Sequence, residues 1–189
     1  MSAPDRLRLV PATWVAPDGT VVTIRPIHRE DLALEQEFVS ALSASSGYRR
    51  LMSTRRPSLA ELRRFTDVDN EREVVLIATM FLEGRERQIG VARYVKESPP
   101  DAEFALVLSD DWQGRGLGTR LLASLVAAAK AHGVRRLVGT TQADNGGMLA
   151  LARKLGFKAA SDPRLAMITN LTLDLAEWPP VRGAPQIGS

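Results

Sequence analysis

The chain has 189 residues, 44% of them hydrophobic and 25% charged, ordinary globular values that fit one domain with a substantial core and exclude a fibrous or fully disordered chain. It has no cysteine, which excludes disulfides, thiolate metal sites and a cysteine nucleophile and fits a reducing compartment. The net charge of +3 is too small to argue for a polyanionic partner. No apolar run is long enough to span a membrane and no signal-peptide pattern opens the chain, so a cytoplasmic location without membrane or nucleic-acid partners is expected.

Residues 1–12 read as a flexible lead, 13–176 as one domain, and 177–189 as a disordered tail marked by Pro179, Pro180, Gly183, Pro185 and Gly188. Pro17-Asp18-Gly19 is a turn, Pro presetting φ and Gly accepting a positive one. It makes a short hairpin or a loop that feeds a strand over Thr20 to Arg25, and Pro26 ends that strand. Arg29-Glu30-Asp31 opens a helix whose apolar face is Leu32, Leu34, Phe38, Val39 and Leu42. A second helical region runs from about 45 to 66, breaks near Pro57, and restarts at the capping box Ser58/Glu61. Arg49, Arg50, Arg55, Arg56, Arg63 and Arg64 cluster there. They form either a solvated helix surface or a rim for an acidic acceptor or a ribose phosphate.

Three strands follow, Val74 to Leu82, Gln88 to Val95 and Glu103 to Leu108, and read as an antiparallel meander. In the third, Phe104, Leu106 and Leu108 share one face and Ala105 and Val107 the other. Both faces are apolar, so this strand should be central and covered on both sides. Leu117 to Ala131 has hardly any charge and should be a buried helix, stopped by Gly133. Leu137 to Thr141 reads as a parallel strand. Asn145 caps a helix over Gly146 to Leu155 that ends at Gly156, and Phe157 to Ala160 and Ala166 to Leu175 close the domain as a strand pair. The class is mixed α/β, with a mostly antiparallel sheet of about six to seven strands flanked by about four helices.

The stretch Asp110-Asp111-Trp112-Gln113-Gly114-Arg115-Gly116-Leu117-Gly118-Thr119 lies between a strand and a helix. Glycines let backbone approach a ligand, and the first N–H groups of a helix lack partners and lie at the positive end of its dipole, so the stretch suits a phosphate. It is not a P-loop, because Thr119 follows Gly118 with no intervening Lys. It is not the dinucleotide fingerprint, because G-x-G-x-G replaces G-x-G-x-x-G. The spacing Gln113-x-x-Gly116-x-Gly118 resembles the acyl-CoA pyrophosphate loop of the GNAT N-acetyltransferase superfamily. Glu103-Phe104-Ala105-Leu106-Val107-Leu108 resembles that family's splayed central strand, and Asp144-Asn145 leading to Lys154-Leu155-Gly156-Phe157 resembles its second cofactor motif. The resemblance covers roughly Gly19 to Leu175. It is nearest to the acetyltransferase domain of bacterial Pat-type protein lysine acetyltransferases, through Asp18-Gly19-Thr20, Thr23 to Ile27, Ile89 to Tyr94, Glu103-Phe104-Ala105 and Met148 to Phe157.

That resemblance implies acetyl-CoA as co-substrate, no metal, and transfer to an amine, in the Pat type a protein lysine. A free lysine amine with pKa near 10.4 is unprotonated in only about one molecule in 2,500 at pH 7, so a base helps. Glu103 is the candidate general base, with Glu97 and Asp101 as nearby rivals and a solvated strand-end carboxylate as the plain alternative. The resemblance assigns the backbone N–H groups of Leu106, Val107 and Leu108 to the thioester and pantetheine arm. It gives the pyrophosphate to Gln113, Gly114, Arg115, Gly116, Leu117, Gly118 and Thr119. Asn145 is either a helix cap or a contact to the cofactor arm. Many GNAT enzymes carry a Tyr that protonates the leaving thiolate, whereas Ala152 stands at that position here. His28 and His132 make no metal site, and His132, at a helix end, suits capping carbonyls. The remaining alternatives are a small-molecule amine acceptor or a non-catalytic acyl-CoA-binding module.

Overall fold

The computed structural model describes residues 11–43, 46, 57–69 and 71–178. Residues 1–10 of the expected lead, 179–189 of the expected tail, and 47–56 with Arg49, Arg50, Arg55 and Arg56 lie outside the described residues. An eight-stranded sheet runs in the order β1-β2-β3-β4-β5-β6-β8-β7. Its strands are β1 (Ala12–Val15), β2 (Val21–Pro26), β3 (Glu73–Leu82), β4 (Arg85–Ser98), β5 (Asp101–Leu108), β6 (Arg136–Gln142), β7 (Lys158–Ser161) and β8 (Ile168–Asp174). The described helices are α1 (Leu32–Ala41), α2 (Leu59–Thr66), α3 (Leu117–Ala131) and α4 (Gly146–Lys154). The sheet exceeds the expected six to seven strands because the turn at Asp18 closes a paired hairpin, Ala12↔Ile24 to Val15↔Val21. Every pair is antiparallel except β5 with β6.

Alternation along the strands divides the core in two. Val22, Ile24, Val74, Leu76, Ala92, Tyr94, Phe104, Leu137 and Leu171 face α3 and α4, whereas Ile27, Val75, Ile77, Val91 and Val107 face α1 through Phe38. In α3, Leu121, Leu122, Leu125 and Val126 are fully buried, each contributing about 1.5–3 kcal/mol at most. This explains the near absence of charge along that helix. The capping box of α2 is formed, with Ser58 Oγ accepting Glu61 N–H at 3.3 Å and Glu61 Oε2 accepting Ser58 N–H at 2.7 Å.

The apolar pattern did not anticipate the buried charges near α1. Asp31 ends a 3-10 turn over Arg29–Asp31 and stands at the N-cap of α1, so the expected helix start is formed. It accepts two hydrogen bonds from Arg25, at 2.7 and 2.8 Å, and one from His28 N–H at 2.8 Å. Burial pushes its carboxyl up, but the Arg25 and His28 bonds outweigh that and hold it below the usual carboxylate range. Glu35 is fully buried and accepts Gln88 Nε2–H at 2.7 Å. His132 does more than end α3. Its Nδ1 lies 2.7 Å from the Tyr94 hydroxyl, and its own carbonyl accepts Lys96 Nζ at 3.1 Å.

Candidate active site

The parallel pairing of β5 with β6 covers only Asp101↔Arg136, Ala102↔Leu137 and Glu103↔Val138. Beyond those pairs each strand keeps its outer partner: β4 pairs with β5 as far as Leu108, and β8 pairs with β6 as far as Gln142. The two central strands therefore part after Glu103 and Val138, and the gap widens toward their C-terminal ends. Backbone edges inside that gap have no partner strand and are available to a ligand.

The expected cover on both faces of β5 is not found. Phe104 and Val107 are buried on opposite faces and Leu106 and Leu108 are half-buried, but Glu103 and Ala105 are exposed. Among the described residues on that face, α1 packs on Val91 and Val107, at the other end of the strand. Glu103 is consequently open on that face. It makes no ion pair among the described residues, which separates it from its rival Asp101, engaged by Arg136 through Nη2 and, at 3.1 Å, Nε. Glu97 is exposed on β4, away from the opening.

At the wide end of the gap, a 3-10 turn over Asp110–Trp112 leads into the glycine loop. Gly114 and Gly116 have φ of 73° and 90°, the left-handed region in which a side chain would strain the backbone. Gly116 is the N-cap of α3, and Arg120 N–H is bonded to Gly116 O, so the N–H groups of Leu117, Gly118 and Thr119 precede the first intrahelical partner and point out of the helix start. The floor between them and β5 is apolar and tight: a Cβ on Gly118 would fall 3.2 Å from Leu151 Cδ2 and 3.3 Å from Leu108 Cδ1.

Two braces hold this loop, and the sequence reading found neither. Asp110 accepts hydrogen bonds from Ser43 N–H (3.0 Å), Ser43 Oγ (3.0 Å) and Ser46 Oγ (2.8 Å). Burial, the largest single influence, pushes its carboxyl up, but the Ser43 and Ser46 bonds together outweigh it and set the group below the usual range. Gln113 directs its side-chain amide to Ser46 Oγ at 3.1 Å, so this side chain serves the brace. From the other direction, Arg115 pairs with Asp18 at 2.8 Å and lies 5.3 Å from the Trp112 ring centroid, while Trp14 lies beside Gly116. Residues 64–97 positions apart leave no mutual spacing to read in a sequence. Asn145 caps α4, accepting Met148 N–H at 3.2 Å, and donates to Thr141 Oγ1 at 3.0 Å. Ala152, on α4, is fully buried.

Residues 22–158 match the family model of the acetyltransferase (GNAT) domain. The chain belongs to the GNAT acetyltransferase family. This GNAT chain is 32% identical over 148 residues to an acetyltransferase of Pseudomonas aeruginosa, an alignment covering 77% of it and 80% of that protein. It is 32% identical over 135 residues to the acetyltransferase Pat of Mycolicibacterium smegmatis, covering 70% of this chain but only 40% of the longer relative. Its fold superposes on the GNAT domain of S. lividans PAT with a TM-score of 0.77 at 26% identity, covering 92% of this chain and 99% of that domain. The GNAT chain is accordingly an N-acetyltransferase, and the non-catalytic alternative is set aside.

Proposed function

We propose that the enzyme transfers the acetyl group of acetyl-CoA directly to the amine of a protein lysine, with Glu103 as general base. The observation that carries this reading is the position of Glu103. It is an exposed carboxylate, free of ion pairs among the described residues, at the last β5–β6 pair before the strands part. The glycine loop stands at the other end of the same gap. In this reading the backbone N–H groups from Gln113 to Thr119 hold the pyrophosphate, with Arg115 moving from Asp18 toward it. The free edge of Leu106, Val107 and Leu108 pairs with the pantetheine arm and polarises the thioester carbonyl. The amine nitrogen attacks that carbonyl, its proton passes to Glu103 directly or through one water, and the C–S bond breaks to release CoA thiolate. No hydroxyl acid stands at Ala152, and a thiol of pKa near 8.5 leaves readily without one.

A lysine acceptor follows from the resemblance to Pat-type domains, and the exposure of Glu103 suits an acceptor that arrives on a protein surface. The test is incubation with acetyl-CoA and candidate proteins, read as acetyl-lysine by mass spectrometry, for the native chain and Glu103→Gln. General-base loss predicts a fall in kcat/KM for the acceptor of about 10²- to 10⁴-fold, with acetyl-CoA affinity retained. Acetylation of free amines but of no protein would assign the site to a small-molecule acceptor. Unchanged rates in Glu103→Gln would remove Glu103 from the chemistry.

A further inference from the structure

We propose that the Phe104 ring, seated over Gly139 and backed by Phe157, is the wall that ends the acyl pocket and restricts the donor to short acyl groups. This rests on the reading of the β5–β6 gap as the donor site. A donor held by its pyrophosphate at the loop after Leu108 runs back along β5 toward Glu103. That is five residue steps, or about 17 Å of strand at ~3.3 Å per residue, so the acyl carbon arrives where the strands rejoin. The next residues beyond the last register pair are Phe104 and Gly139, and they are in close contact. A Cβ on Gly139 would fall 2.7 Å from Phe104 Cε1, 3.0 Å from Cδ1 and 3.1 Å from the Phe104 carbonyl oxygen. The missing side chain at 139 is therefore the space the ring occupies. The ring has little freedom to move aside, because it is 6% exposed and its centroid lies 4.9 Å from that of Phe157, itself 4% exposed.

The contrast along the gap supports the assignment. At Leu106 and Leu108 the lining is half-buried aliphatic side chains that can shift rotamer around a flexible arm. At the apex it is two interlocked aromatic rings against backbone. A rigid end and a compliant channel discriminate by length at the tip, where one added methylene alters recognition by about 10- to 200-fold when the pocket has no room for it.

The experiment is calorimetric titration of the full chain with CoA, acetyl-CoA, propionyl-CoA and butyryl-CoA, which needs no acceptor. The native protein should bind butyryl-CoA at least about tenfold more weakly than acetyl-CoA. Phe104→Ala should narrow or invert that ratio by about tenfold while CoA itself binds within about threefold of native. Phe104→Leu, which keeps most of the volume and guards against loss of the fold, should fall between the two. A native protein indifferent to chain length, or a Phe104→Leu and Phe104→Ala pair that both keep the native ratio with CoA binding intact, overturns the proposal. Failure of CoA and every thioester to bind the native chain would instead refute the donor-site reading and take this inference with it.

Discussion

Gly139→Ala tests the apex without touching a polar group. The added methyl would lie 2.7 Å from Phe104 Cε1 and 3.1 Å from the Phe104 carbonyl oxygen, both well inside van der Waals contact. Relief requires either rotating a ring packed on Phe157 at 4.9 Å or separating β5 from β6 where only three register pairs join them. Overpacking of this kind costs about 1–3 kcal/mol. A domain of this size loses about 2–4 °C of Tm per kcal/mol, so the expected fall is about 2–12 °C by calorimetry. Gly146→Ala is the matched control. Nothing lies within 4 Å of its added Cβ and its φ is not positive, so the methyl should stabilise the chain by about 0.4–1 kcal/mol through the unfolded state. The two substitutions should move Tm in opposite directions. A Gly139→Ala protein melting within a degree of native would refute the close approach, and with it the argument for a rigid apex.

Further outcomes follow from the buried and bridging polar groups. Asp110→Asn removes the carboxylate that accepts from Ser43 and Ser46, and should lower stability at pH 7 by about 0.5–1 kcal/mol, an exposed-network value, in denaturant melts. Because the folded carboxyl sits below its ordinary 3.8, its contribution is present above that pH and lost as pH falls through the lowered value; the Asn variant should show a shallower loss of stability there. Burial first, and the Lys96 charge second, hold the His132 imidazole below 6.5. The folded state then binds fewer protons than the unfolded one, so stability present above pH 6.5 should decline as pH falls from there through the lowered value, and His132→Gln should flatten that slope. Tyr94→Phe deletes the 2.7 Å contact to His132 Nδ1 and should cost about 1–2 kcal/mol at neutral pH in the same melts.

How much of this was legible in the sequence depends on the range over which each signal acts. Local signals transferred well. The capping box at Ser58, the cap at Asn145, the uncharged run of α3 and the three-strand meander each declare themselves within a few residues, and each stands in the structure. Burial of charge did not transfer, because Asp31 and Glu35 are tolerated inside through hydrogen-bond partners that include Arg25 and Gln88, and a pattern of apolar positions does not reveal such partners. The alternation in β5 showed two apolar faces but not where the cover stops, so Ala105 was expected to be covered and is open. The glycine stretch announced an anion loop. It could not reveal that Gln113 and Arg115 are engaged by Ser46 and Asp18.

Those engagements have a physical consequence for the loop. A turn with two positive-φ glycines has few internal contacts and a large conformational entropy to lose when it closes on a phosphate. Here that loss is met mostly in folding. Asp110 ties the start of the loop to the end of α1, Arg115 ties its middle to the β1–β2 turn with Trp14 beside Gly116, and α3 anchors its far end in the core. In the proposed donor-site reading, such preorganised N–H groups meet the ligand without reordering, which is where affinity for a flexible cofactor is gained. The Arg115–Asp18 pair is half exposed and individually weak. It can therefore open at little cost while the Asp110 brace keeps the loop in place.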